Sequence, residues 1–167
     1  MKLLLLRHAI AEDQSDFSRT GKDDRLRPLT DEGRKKMKQG AKGLREILPD
    51  VDLLATSPLT RAAQTGAIVD SVYGGLAEVE IEELSPEATP TDFLRWLRKQ
   101  KAGTLAAVGH EPSISLILSW LLTGTERRIF SFRKGGACLI EFTGEVGAGT
   151  ATLLWALTPG QLRDLAD

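Results

Sequence analysis

Lys2-Leu3-Leu4-Leu5-Leu6-Arg7-His8-Ala9 is a short apolar run that breaks off at an arginine and a histidine. It reads as a buried strand that delivers two polar side chains at its carboxyl end. In open α/β sheets that end of a strand is where ligands bind, so His8 stands where chemistry is expected. The chain holds only two histidines, and the second, His110, follows another apolar run, Leu105-Ala106-Ala107-Val108-Gly109.

Outward from His8, residues 9–28 are polar with little periodicity and read as a long loop over the end of the first strand. Thr30 as N-cap, with Asp31 and Glu32 behind it, opens a helix whose Met37, Ala41, Leu44 and Leu48 share one face before Pro49 stops it. Arg34, Lys35, Lys36 and Lys38 lie off that face and read as solvated surface rather than a phosphate site. Asp52–Ala55 is a second strand; Ser57 as N-cap and Pro58 at the first helical position then place Arg61 at the end of the first turn. Ala62, Gly66, Val69 and Val72 supply that helix's buried side.

Val79 and Ile81 alternate with glutamates in a third strand suited to a sheet edge. Thr89–Asp92 opens a helix with core residues Phe93, Leu94 and Leu97. After the strand ending at Val108, Pro112 starts a helix with Ile114, Ile117, Leu118 and Leu121. The period then becomes two-like: 137–142 and 150–157, separated by glycines, form a hairpin, and Thr158-Pro159 starts a terminal helix with Leu162 and Leu165. Trp96, Trp120 and Trp155 each sit in or beside an apolar run and read as core.

Four strand-helix units and a hairpin give an α/β fold: a three-layer α/β/α sandwich whose largely parallel sheet carries an antiparallel C-terminal hairpin. With 167 residues, 41% of them hydrophobic, and no composition shift, residues 1–167 are expected to form a single domain and to act as a monomer. The net charge of −1 implies neither a nucleic-acid face nor an anionic-membrane face. No stretch is long enough to span a bilayer, and the lone Cys138, in a strand-like run, reads as a buried structural thiol in a reducing compartment, so a cytoplasmic protein is expected.

Arg7, His8, Arg61 and His110 all follow strand ends and converge on one rim. Two arginines and two histidines suit an oxyanion: the guanidinium fork matches phosphate oxygens, and helix N-termini add aligned N–H groups. Zinc is the rival for two histidines, but it wants further His, Cys or carboxylate ligands, and arginines beside a dication are unfavourable.

Four segments carry a family resemblance: Leu6-Arg7-His8-Ala9, Arg27-Pro28-Leu29-Thr30-Asp31-Glu32-Gly33, Ser57-Pro58-Leu59-Thr60-Arg61-Ala62-Ala63-Gln64-Thr65 and Gly109-His110-Glu111-Pro112. In this order the chain resembles the histidine phosphatase (phosphoglycerate mutase-like) superfamily, and it is most similar to the SixA-type phosphohistidine phosphatases. The resemblance implies a phosphoglycerate mutase-like fold and phosphoryl transfer through a phosphohistidine on His8. Arg7, Arg61 and His110 would hold the phosphoryl oxygens, His8 attacking as the neutral ring and His110 acting as the protonated one. Arg27, or Arg25 beside it, would reach the phosphate from the loop.

Glu83 resembles the position of the acid that phosphatase and mutase relatives use on the leaving group; Asp24 and Glu12 are further candidates, and a phosphohistidine substrate lessens the demand for any of them. No metal or organic cofactor is implied. The partner is a phosphohistidine-bearing protein or a small phosphorylated substrate such as a sugar or nucleotide phosphate, and a non-catalytic phosphate-binding module is the remaining alternative.

Overall fold

The computed structural model describes residues 1–166. Its centre is one six-stranded sheet built from β1 (Lys2–Arg7), β2 (Leu53–Thr56), β3 (Ala77–Glu80), β4 (Thr104–Gly109), β5 (Ala137–Glu141) and β6 (Thr152–Leu157), in the order β3-β2-β4-β1-β5-β6. The first four are mutually parallel, while β5 runs antiparallel to β1 and β6 antiparallel to β5. The expected sheet and hairpin are therefore present, with the glutamate-rich β3 at one edge.

Strand β1 shows why an unbroken leucine run was needed. Leu3 and Leu5 pack into one core with Phe93, Leu94 and Leu97 of α4 (Pro90–Leu97) and Ile114, Ile117, Leu118 and Leu121 of α5 (Ser113–Thr123). Leu4 and Leu6 face the opposite core, with Met37, Ala41 and Leu44 of α2 (Asp31–Ile47), Val69 and Val72 of α3 (Thr60–Tyr73) and Leu162 of α6 (Pro159–Asp164). Alternate side chains of one strand thus fill two apolar layers, the arrangement that a central parallel strand demands. Cys138 lies on β5 opposite Leu5, with no exposed surface, and burial pushes its thiol up.

Four local readings are corrected. Residues 9–28 are not a featureless loop: Asp13 caps a short helix, α1 (Gln14–Ser18), whose Phe17 is buried, and Asp24–Leu26 make a 3-10 turn. Helix α3 begins at Thr60 with Leu59 at the cap, so Ser57 and Pro58 precede it and Arg61 is its second residue. Pro112 caps α5 instead of opening its first turn. Leu165 is 39% exposed, because α6 ends before it and only Leu162 turns inward. The three tryptophans are half-buried and pack against the two cores.

The crossovers locate the site. Strands β1 and β4 are neighbours, yet β1 leads to α2 on one face and β4 leads to α5 on the other. A crevice opens beyond the carboxyl ends of two strands whose connections diverge in this way. The register sets Arg7 opposite Gly109, so the next residues, His8 and His110, emerge side by side.

Candidate active site

Arg7, His8, Arg61 and His110 line one cleft of about 730 Å³, together with Glu12, Asp24, Arg27 and Glu111. The two histidine rings stand 5.1 Å apart, tilted by 51°. His8 is 5% exposed and His110 2%. Burial, reinforced by Arg61, Arg7 and Arg27, pulls His8 down to about 3 against its hydrogen bond to Ala9. Burial pulls His110 down to about 2, with His8 and the same three arginines adding to it. Both rings are therefore neutral at physiological pH.

A neutral imidazole has one N–H and one lone pair, so each ring's first partner dictates what its other nitrogen offers. His8 Nδ1 lies 2.7 Å from the carbonyl oxygen of Ala9. A carbonyl only accepts, which places the proton on Nδ1 and the lone pair on Nε2. His110 Nε2 lies 2.8 Å from Ser57 Oγ, while its buried Nδ1 has no partner. Ser57 Oγ also accepts the Leu59 N–H at 3.3 Å, so its own proton is free to go to His110 Nε2. When Ser57 donates in this way, the proton of His110 sits on Nδ1 and that nitrogen becomes a donor. Ser57 was expected to cap α3; the structure spends its hydroxyl on the second histidine.

The arginines are held by oxygens that leave part of each guanidinium unused. Arg7 Nη1 donates to the carbonyl of Phe132 at 2.7 Å. Arg61 Nη1 donates to the Asp24 carbonyl at 3.0 Å and meets its carboxylate at 3.3 Å. Nε of both arginines is buried without a partner. Arg27, also buried, donates from Nε to Asp24 Oδ1 at 2.7 Å and from Nη1 to the Glu12 carbonyl at 2.8 Å. Both loop arginines line the cleft, but Arg27 is buried and its charge acts on both histidines, whereas Arg25 is exposed and donates to Glu82 at 3.1 Å. Burial lowers the pKa of Arg7 and Arg61, opposed by Glu111 at the first and by Asp24 and Glu87 at the second.

The candidate acids separate. Glu83 sits in the 3-10 turn Glu82–Leu84 and lines a different hollow, with Ser85, Asp92 and Trp96, so it is not brought to the histidines. Asp24 lines the cleft, but its hydrogen bond from Arg27 and the nearby Arg61 charge hold it below the ordinary carboxylate range. Glu12 lines the cleft with an exposed side chain.

The remaining motif residues hold the frame. Gln64 Oε1 accepts the Leu29 N–H at 2.9 Å, and Thr65 Oγ1 accepts the Ala9 N–H at 3.0 Å, tying α3 to the chain on either side of the loop. Glu111 makes a clasp that sequence reading missed. Its Oε1 accepts the Phe132 N–H at 2.7 Å and the Ser115 hydroxyl, and the same Phe132 presents its carbonyl to Arg7. The pairing spans 21 residues of chain, and only its place beside His110 marks Glu111 in the sequence.

Among the described residues, no group of three His, Cys, Asp or Glu side chains is placed to hold a metal ion. The cleft instead offers a ring lone pair beside several N–H donors, a set that can bind an oxyanion and present a nucleophile to its central atom.

The family model described as histidine phosphatase superfamily (branch 1) matches residues 3–87. The chain belongs to the histidine phosphatase superfamily. Arg7, His8, Arg27 and Arg61 fall inside the matched span, and His110 is added by its position across β4. An uncharacterized protein of Picosynechococcus sp. is 30% identical over 139 residues, 81% of this chain and 82% of the relative. The fold is similar to that of the protein histidine phosphatase SixA complexed with tungstate, with a TM-score of 0.81 and 20% identity over 97% of this chain and 99% of that one. It is also similar to the alpha-ribazole phosphatase from Shigella flexneri, with a TM-score of 0.72 and 19% identity over 95% and 97% of the two chains. The histidine phosphatase fold read from the sequence is thus present over nearly the whole chain.

Proposed function

We propose that this histidine phosphatase removes the phosphoryl group from phosphohistidine on a protein, through a phosphohistidine intermediate on its own His8. The observation that carries the reading is the unlike wiring of the two histidines: Nδ1 of His8 is engaged by the Ala9 carbonyl, which leaves a lone pair on Nε2, whereas Nε2 of His110 is engaged by Ser57 and its Nδ1 is buried without a partner. In this reading Arg7, Arg61, Arg27 and His110 bind the non-bridging oxygens. His8 Nε2 attacks phosphorus, and the bond to the leaving nitrogen breaks with its electron pair, which takes up a proton from solvent water at the open cleft. The ring's growing positive charge is met by the Ala9 carbonyl. Water then attacks the phosphorus of phospho-His8, loses a proton, and releases inorganic phosphate and the neutral ring. A bound phosphoryl dianion opposes the depression of His110 and favours its protonated form in the complex.

The protein substrate is supported by how little material encloses the cleft. The connection from β3 to α4 spans residues 81–89, and α5 starts three residues after His110. An imidazole leaving group is easily protonated, which suits a site where Glu83 is elsewhere and Asp24 is tied to two arginines. The SixA of similar fold is named as a protein histidine phosphatase, and its complex with tungstate puts an oxyanion on that fold.

A small phosphomonoester is the second reading, favoured by the likeness to alpha-ribazole phosphatase and by Glu12 in the cleft. The deciding experiment compares a phosphohistidine-bearing protein with a panel of phosphomonoesters, each with wild type and His8→Ala. Preference for the protein is expected, with His8→Ala slower by more than about a thousandfold. Preference for an ester would move the function to small-molecule metabolism, and unchanged turnover in His8→Ala would remove the mechanism.

A further inference from the structure

The cleft has a polarity that phosphoryl transfer does not require. Its buried floor is cationic, with Arg7, Arg27 and Arg61 around the histidines. Its mouth is anionic: Glu12 and Asp13 from the segment after β1, Asp23 before the 3-10 turn, and Glu87 after β3, all of them exposed. Among the described residues none of these four carboxylates is in an ion pair. The cations at the mouth are fewer: Arg25 is drawn to Glu82, and among the described residues Lys134 is the one mouth cation without an ion pair. That something is received behind this collar is indicated independently by the buried, unpartnered Nδ1 of His110 in the same cleft.

From this juxtaposition we infer that the phosphatase selects phosphoryl groups carried beside positive charge: a phosphorylated side chain on a lysine- or arginine-rich surface, or a cationic leaving group. The inference rests on the proposed reading and narrows its substrate class. The phosphoryl dianion passes to the arginine floor, while whatever surrounds it stays at the level of the carboxylates. A second anionic group on the substrate meets Asp13, Asp23 and Glu87 and is repelled; a neighbouring ammonium or guanidinium is attracted. An enzyme for bisphosphates or nucleotides gains from the opposite arrangement, a positive mouth that steers polyanions inward.

The test uses two phosphohistidine peptides that differ only in flanking residues, lysines in one and glutamates in the other, and the same pair built on phosphoserine. Wild type is compared with Asp13→Asn/Asp23→Asn/Glu87→Gln, whose amides keep the capping hydrogen bonds of Asp13 and Asp23. The lysine-flanked peptide is expected to have a kcat/KM roughly tenfold higher at low ionic strength, falling with salt, and the variant to lose that preference with kcat little changed. Equal kcat/KM on both flanks, or a preference that the variant retains, would overturn the inference. A flank preference seen only on phosphoserine would keep the inference and remove phosphohistidine as the substrate. Absence of His8-dependent turnover on all four peptides would sink both.

Discussion

The chemistry of this cleft is decided by single protons on single nitrogens. Ser57 is the residue whose removal isolates that effect. Ser57→Ala leaves His110 Nε2 buried without its partner and frees the ring to place its proton on either nitrogen. A fall in kcat/KM of roughly tenfold to a hundredfold is expected, together with a loss of stability of about 1–3 kcal/mol from the buried groups left unpaired. Steady-state kinetics and a melting curve check it together, and an unaltered kcat/KM would show that Ser57 does not set the tautomer. The sequence could not have shown this, because an N-cap and a histidine partner both require a hydroxyl at a strand-to-helix junction. His8, Arg7, Arg61 and His110 were legible because each ends or directly follows a strand or opens a helix, whereas Glu83 lies in the next hollow because a three-residue turn carries it there.

At the scale of elements, the site depends on a contact between the start of α5 and the segment leading into β5. Glu111 holds the Phe132 N–H, and the Phe132 carbonyl holds Arg7. Gly135 adds to this, donating its N–H to the carbonyls of Arg7 and His8 at 3.1 Å. Glu111→Ala is expected to raise KM and weaken inhibition by vanadate, each by about tenfold, because the buried Phe132 N–H loses its acceptor and Arg7 loses its fixed position. Glu111→Gln keeps an acceptor oxygen and is expected to restore most of that binding. If the glutamine variant is as impaired as the alanine one, the charge of Glu111 rather than its hydrogen bond is what matters. The helices and strands themselves were legible from periodicity and caps. The clasp was not, because a hydrogen bond between a side chain and a backbone 21 residues away leaves no periodic trace.

For the whole molecule, the buried neutral histidines couple stability to pH. In the unfolded chain a histidine titrates near 6.5, whereas in the fold His8 is pulled to about 3 and His110 to about 2. Below 6.5 the unfolded state therefore binds more protons, and stability rises with pH through that range. The contribution is present above 6.5 and is lost as pH falls toward the folded values. The melting temperature is expected to drop steadily from pH 7 to pH 4, less steeply in His8→Ala and in wild type with vanadate bound. A flat profile would mean that the rings are not held neutral. The architecture was readable at this scale because the strand runs, the helix caps and the glycine-separated hairpin all pointed to one layered sheet. The α1 segment was missed because a five-residue helix with a single buried phenylalanine is too short to show a period.

The alternation of Leu3 and Leu5 with Leu4 and Leu6 reaches beyond packing. One strand belongs to both apolar layers, and the residue after it is His8. Neither layer can loosen while the other stays intact without twisting that strand, so partial melting on either side dislocates the histidine. Loss of activity and loss of structure on heating should then coincide in one cooperative event, with no inactive but still folded stage between them.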